Sequence, residues 1–128
     1  MNRNAYENMI RYLDEQELEL HTTGVVLLDL DNLKEINDNF GHEKGDEALK
    51  LCYQCIRQAF QSEQNCFRIG GDEFAYIFHK DEKALIADKL HKLELLLNEK
   101  DQDLSYSLSV SSGYAYYQPD TDMDLKIS

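Results

Sequence analysis

The sequence predicts an α+β fold in the order β-α-α-β-β-α-β, preceded by one extra helix, and three patterns carry that prediction. Gly24-Val25-Val26-Leu27-Leu28-Asp29 is a short apolar run, the pattern of a buried strand. Strand-like runs flank the pair Gly70-Gly71, as in a hairpin. Leucines at helical spacing between Leu85 and Leu97 give way to Tyr106, Leu108 and Val110 alternating with serines, a change from helical to strand period. This order is that of a ferredoxin-like, split β-α-β antiparallel sheet. Right-handed crossovers make the first two strands parallel, with the third inserted between them.

Taken in order, the extra helix spans about Asn4 to Glu17, with Tyr6, Met9, Ile10 and Leu13 near helical spacing. After the first strand, a short helix runs through Leu33, Ile36 and Phe40 and stops at Gly41, with Asn32 and Glu35 spaced for a capping box. A longer helix starts near Gly45-Asp46 and continues through Leu49, Cys52, Ile56 and Ala59. The hairpin covers about Cys66 to Phe78, and its Gly-Gly pair suits a tight turn at positive φ. Asp81 is placed to cap the leucine-rich helix, and Tyr106 to Val110 form the last strand.

The chain has 128 residues, 42% of them hydrophobic, which suits one domain burying roughly two-thirds of its unfolded surface. Its 25 acidic and 13 basic residues give a formal charge of −12, which argues against a nucleic-acid duplex or an anionic membrane as partner. A polyphosphate ligand would have to arrive with divalent metal. No apolar stretch approaches the ~18 residues of a membrane span, and no signal peptide opens the chain. Three cysteines, an odd number, suit reduced thiols and a cytoplasmic location. Cys52 and Cys55 have metal-site spacing but no second pair, and read as buried helix residues.

The predicted topology brings the end of strand one and the Gly70-Gly71 turn to one sheet edge on neighbouring strands. Asp29, Asp72 and Glu73 should therefore converge, beside the main-chain carbonyl of Leu30. Adjacent carboxylates repel unless water or a cation compensates them. Oxygen-only donors suit Mg²⁺ or Mn²⁺. The helix opening after Asp31 points N–H groups at the same edge, a ready phosphate site, with Lys34 in its first turn. An EF-hand reading fails, because Lys34 stands where that loop needs glycine.

These residues also carry a resemblance. Arg68-Ile69-Gly70-Gly71-Asp72-Glu73-Phe74 resembles the signature of GGDEF domains, the diguanylate cyclases. The run from Asp29 to Asp46 resembles that family's D-x-D-x-F-K-x-x-N-D-x-x-G-H-x-x-G-D block, with Leu33 at the Phe position. Ser111-Ser112-Gly113-Tyr114-Ala115 is similar to its S-x-G-x-A strand, and Asn2-Arg3 to the N-R pair of its first helix. The resemblance implies a nucleotide-cyclase palm-like sheet that joins two GTP molecules into cyclic di-GMP and releases pyrophosphate, in bacterial signalling. It implies that Asp29, the Leu30 carbonyl and Asp72 hold Mg²⁺ or Mn²⁺, and that Asp72 and Glu73 are catalytic. It further implies that Asn37 and Asp46 read guanine, that Lys34 with the Asn32–Leu33 backbone contacts phosphate, and that Gly70 and Gly71 lie against substrate. A homodimer and fused sensor or output domains follow, with a cytoplasmic setting, or the cytoplasmic face of a membrane-anchored parent.

Three departures accompany the resemblance. Gln61-Ser62-Glu63-Gln64 stands where the family commonly carries an R-x-x-D product-inhibition motif, so feedback by product is not expected. Ser128 precedes the family's basic A-D-x-A-L-Y-x-A-K helix, and Met1-Asn2-Arg3 lacks the usual D-x-L-T-G-L. The chain is thus expected to be a piece of a longer protein, truncated at both ends, with weakened GTP binding on its own. The alternative is a catalytically inactive GGDEF domain that binds GTP or regulates a partner.

Overall fold

The computed structural model describes Arg11, residues 23–61, 65–116 and 124–127. Apart from Arg11, which is helical, the helix expected over residues 4–17 lies outside the described residues. The elements are β1 (Thr23–Leu30), α1 (Leu33–Phe40), α2 (His42–Phe60), β2 (Cys66–Arg68), β3 (Glu73–His79), α3 (Lys83–Lys100), β4 (Val110–Tyr116) and β5 (Asp124–Ile127). The sheet order is β2-β3-β1-β4-β5, with every neighbouring pair antiparallel. β1 and β2 therefore run parallel with β3 between them, as the crossover rule requires. β5 was not anticipated.

β1 is central because its residues are apolar on both pleats: Val25, Val26 and Leu28 are at most 1% exposed. Gly24 lies opposite Phe78 in the ladder, and a Cβ there would enter the Phe78 ring. The absent side chain makes room for the aromatic one. Helices α2 and α3 close one face of the sheet. Val26, Leu28, Phe74, Tyr76 and Phe78 meet Cys52, Ile56, Phe60, Ile86, Leu93 and Leu97 there in one buried cluster.

Four local expectations give way to tertiary context. Asn32 adopts a left-handed conformation (φ 62°) and makes no side-chain cap, so the capping box does not form; its carbonyl accepts the Ile36 N–H instead. Gly41 (φ 91°) turns the chain in a single residue, and α2 begins immediately at His42 rather than near Gly45. Asp81 does not cap α3. Its N–H meets His79 Nδ1, while Glu82 takes the His79 N–H and the Tyr76 hydroxyl. The strand expected over Tyr106–Val110 is instead β4, Val110–Tyr116, because the ladder with β1 ends at Leu30 opposite Val110. Before Val110 the contact with the β1 end continues for one more step, the Ser109 carbonyl accepting the Asp31 N–H at 2.8 Å, and Tyr106 donates its hydroxyl to Glu47 at 2.8 Å.

All three cysteines are buried and free. Burial pushes the Cys52 thiol up to about 12 and the Cys66 thiol to about 11, and raises Cys55 as well. A thiol held neutral in the fold contributes stability that is complete below its unfolded value of 9.0. That contribution is lost as pH rises from there through the folded values. Two results are expected: at about pH 8 Ellman's reagent labels the native chain far more slowly than the urea-unfolded chain, and the urea midpoint falls above pH 9.0. Rapid native labelling of all three thiols contradicts this placement.

Candidate active site

The site begins with strand register. Asp29, the next-to-last residue of β1, sits opposite Glu73, the first of β3. One step further the Leu30 N–H donates to the main-chain carbonyl of Asp72 at 2.9 Å, which docks the hairpin turn against the end of β1. Asp29, Asp72 and Glu73 thus each offer a carboxylate oxygen within 4.8 Å of the others. Glu73 is only 6% exposed, Asp72 is half-buried and Asp29 faces outward. Partial burial, followed by the Glu73 and Asp72 charges, raises Asp29 from its ordinary value. Three hard oxygen donors beside the Leu30 main chain are a set that fits Mg²⁺ or Mn²⁺.

The turn itself differs from the tight Gly-Gly bend. β2 ends at Arg68 and β3 starts at Glu73, so four residues connect them. Gly41 is the one glycine at positive φ among the described residues, so neither Gly70 nor Gly71 uses that freedom. Shape comes from hydrogen bonds: the Ile69 N–H donates to the Glu73 carbonyl at 3.0 Å. Arg68 reaches forward, Nε to the Gly70 carbonyl at 3.1 Å and a terminal guanidinium nitrogen to the Gly71 carbonyl at 2.7 Å.

The remaining predicted residues lie on α1 and α2. Asn32 and Lys34 are exposed and Leu33 is half-buried at the α1 N-terminus, just beyond Asp31. The Asp31 carboxylate accepts hydroxyls from Ser109 at 2.8 Å and Ser111 at 2.7 Å, so this fourth acid is occupied with holding the end of β1 to the start of β4. Asn37 is half-buried against Gly45, and Asp46 follows on the surface of α2. Asp46 opens into a groove of about 310 Å³ with Leu49, Lys50, Tyr53, Arg68 and Phe74. Tyr53 is fixed there by stacking on Phe74, by its hydroxyl bond to the Cys66 carbonyl at 3.0 Å and by the Arg57 guanidinium over its ring.

Tyr53 and Ser109 carried no sequence signal, because their places follow only from helix and strand packing. A larger hollow of about 560 Å³ lies between α3 and the start of β4 and contains none of the predicted residues. The acid cluster lies elsewhere, where the end of β1 meets the β2–β3 turn. No helix among the described residues is long and apolar enough to cross a membrane. Ser62–Gln64, where the inhibition motif was sought, lies outside the described residues.

Comparison with known proteins identifies the family. The family model "Diguanylate cyclase, GGDEF domain" matches residues 1–127. Diguanylate cyclase DgcS of Shewanella oneidensis is 46% identical over 44% of this chain and 19% of its own length. Diguanylate cyclase DosC of Escherichia coli is 30% identical over 81% of this chain and 24% of its own. The chain thus spans about a fifth to a quarter of these two relatives. The crystal structure of the GGDEF domain of DgcB from Caulobacter crescentus, in complex with c-di-GMP, superimposes with a TM-score of 0.71 at 26% identity, covering 94% of this chain and 74% of that one. The two sequence motifs, the acid cluster at the sheet edge and the match along almost the whole chain lead to one conclusion: the chain belongs to the GGDEF, or diguanylate cyclase, family.

Proposed function

We propose that this chain is the catalytic domain of a diguanylate cyclase that condenses two GTP molecules into cyclic di-GMP. The observation that carries the reading is the convergence of the Asp29, Asp72 and Glu73 carboxylates within 4.8 Å. Asp29, Asp72 and the Leu30 carbonyl would hold the metal, with Glu73 beside them. A bound Mg²⁺ or Mn²⁺ neutralises phosphate charge and makes the 3′-hydroxyl easier to deprotonate.

Asn37 and Asp46 read the guanine, Asp46 accepting from its N1–H and N2–H₂, an edge that adenine cannot present. The groove beside Asp46 takes the base. Lys34 and the N–H groups at the start of α1 bind phosphate oxygens, and the Gly70-Gly71 backbone lies along the nucleotide. Asp72 accepts the proton as each 3′-oxygen bonds to the other nucleotide's α-phosphorus. The bond to pyrophosphate breaks at the same phosphorus, so two new ester bonds form and two pyrophosphates leave. Each chain holds one GTP, so catalysis requires a homodimer that sets two sites face to face. In the parent protein, fused sensor or output domains control that pairing, in the cytoplasm where GTP is available.

The test incubates the full-length parent, or this chain joined to a dimerising coiled coil, with GTP and Mg²⁺. Cyclic di-GMP and pyrophosphate in a 1:2 ratio are expected from the two-ester stoichiometry. Calorimetric GTP binding without product instead assigns the domain a regulatory GTP-binding role. No binding and no product overturns both.

A further inference from the structure

Gly45 lies within α2, is buried, and is not at positive φ. The backbone there does not require glycine, and glycine is the poorest helix former after proline. Space explains its presence. A Cβ at this position would fall on the Asn37 side-chain oxygen, and would also approach Leu33 Cδ1 at 3.4 Å. The two residues are joined through Gly41 as well: its N–H donates to the Asn37 carbonyl at 2.9 Å, and its carbonyl accepts the Gly45 N–H at 3.2 Å. The Asn37 amide is therefore seated on the bare Cα of the residue immediately before Asp46.

From this juxtaposition we infer that Gly45 is a positioning residue for base recognition, setting the Asn37 amide at a fixed offset from the Asp46 carboxylate. The inference rests on the proposed reading that these two side chains contact guanine, and adds the device that spaces them. Glycine costs helix stability here, and any side chain in its place would turn the Asn37 amide away. Gly45→Ala improves helix propensity while displacing a recognition group, so stability and binding report on different things.

The experiment measures four forms of this chain: wild type, Gly45→Ala, Asn37→Ala and the double variant. Each is followed by thermal unfolding and by calorimetry with GTP or ATP in Mg²⁺. Gly45→Ala is expected to weaken GTP binding roughly tenfold, the scale of one lost hydrogen bond in a partly buried site, and to narrow the preference for GTP over ATP. The double variant should bind no worse than Asn37→Ala, because Gly45 acts only through that side chain. Alanine at 45 should raise the melting midpoint more in the Asn37→Ala background, where the collision is gone, than in the wild-type background, where the Asn37 side chain has to give way. Additive midpoints, or wild-type GTP affinity in Gly45→Ala, overturn the inference. No GTP binding by the wild-type chain together with no product from its dimerised form sinks the proposed function, and the guanine role of Gly45 with it, whatever the midpoints.

Discussion

Asp72→Ala in the full-length parent protein abolishes cyclic di-GMP synthesis while leaving the fold at least as stable as before. The two halves of this expectation come from different atoms of one residue. Its main-chain carbonyl accepts the Leu30 N–H and docks the hairpin turn, a bond that alanine keeps. Its carboxylate is one of three mutually repelling groups, and removing it relieves Asp29, whose charged form the fold already disfavours. The sign follows from linkage. A carboxyl raised in the folded state costs stability as pH rises through its folded value, so the metal-free variant should lose less stability across that range than the wild type. On the proposed reading catalysis moves the other way, because the cluster would lose a metal donor and the group assigned to accept the 3′-hydroxyl proton. A loss of roughly 10²–10³-fold or more is expected, on the scale of removing one preorganised electrostatic partner. Chromatography of the products and melting curves with and without Mg²⁺ decide the matter. Retained product, or a melting point far below the wild type, contradicts the assignment.

The same residues indicate how far the sequence could be read. The pairing of Asp29 with Glu73 was legible because strand order and side-chain alternation together fix which residues meet across a ladder. Buried strands such as β1 were legible from apolar continuity, and α1 and α2 from helical period. What failed was local chemistry overruled by a distant partner. Asn32 and Glu35 have capping-box spacing, but Asn32 is held left-handed between β1 and α1, so its side chain cannot reach back. Gly70 and Gly71 suggest a bend at positive φ, yet the guanidinium of Arg68 shapes the turn through their carbonyls. The start of β4 is set by where β1 stops offering a partner, which no property of Tyr106 or Leu108 encodes. Gly45 stood within a quoted motif, but its reason, the neighbouring Asn37 amide, exists only once α1 folds back on α2.

A site built from repelling acids contributes little to its own stability, so the sheet edge depends on the core behind it, and Phe60→Ala should reveal how strongly. Phe60 closes α2 at 1% exposure. Its ring packs on Tyr76 of β3 at a centroid distance of 4.5 Å, and its carbonyl accepts Lys89 Nζ at 3.3 Å. Truncation leaves that carbonyl bond intact and removes only the ring, so the loss reports on packing. The expected destabilisation is about 3–5 kcal/mol, the range for phenylalanine removed from a close-packed interior. That is a large share of the ~5–15 kcal/mol that holds a typical domain folded. Phe60→Leu, which refills most of the volume, should cost less than half as much. Urea titration measures both. Because the β1–β3 ladder that places Asp29 beside Glu73 is untouched by the substitution, nucleotide binding per folded molecule should stay at the wild-type level well below the urea midpoint. A loss under about 1 kcal/mol would mean that the core collapses around the missing ring. Weakened binding in the folded fraction would mean instead that α2 and the sheet edge are mechanically coupled.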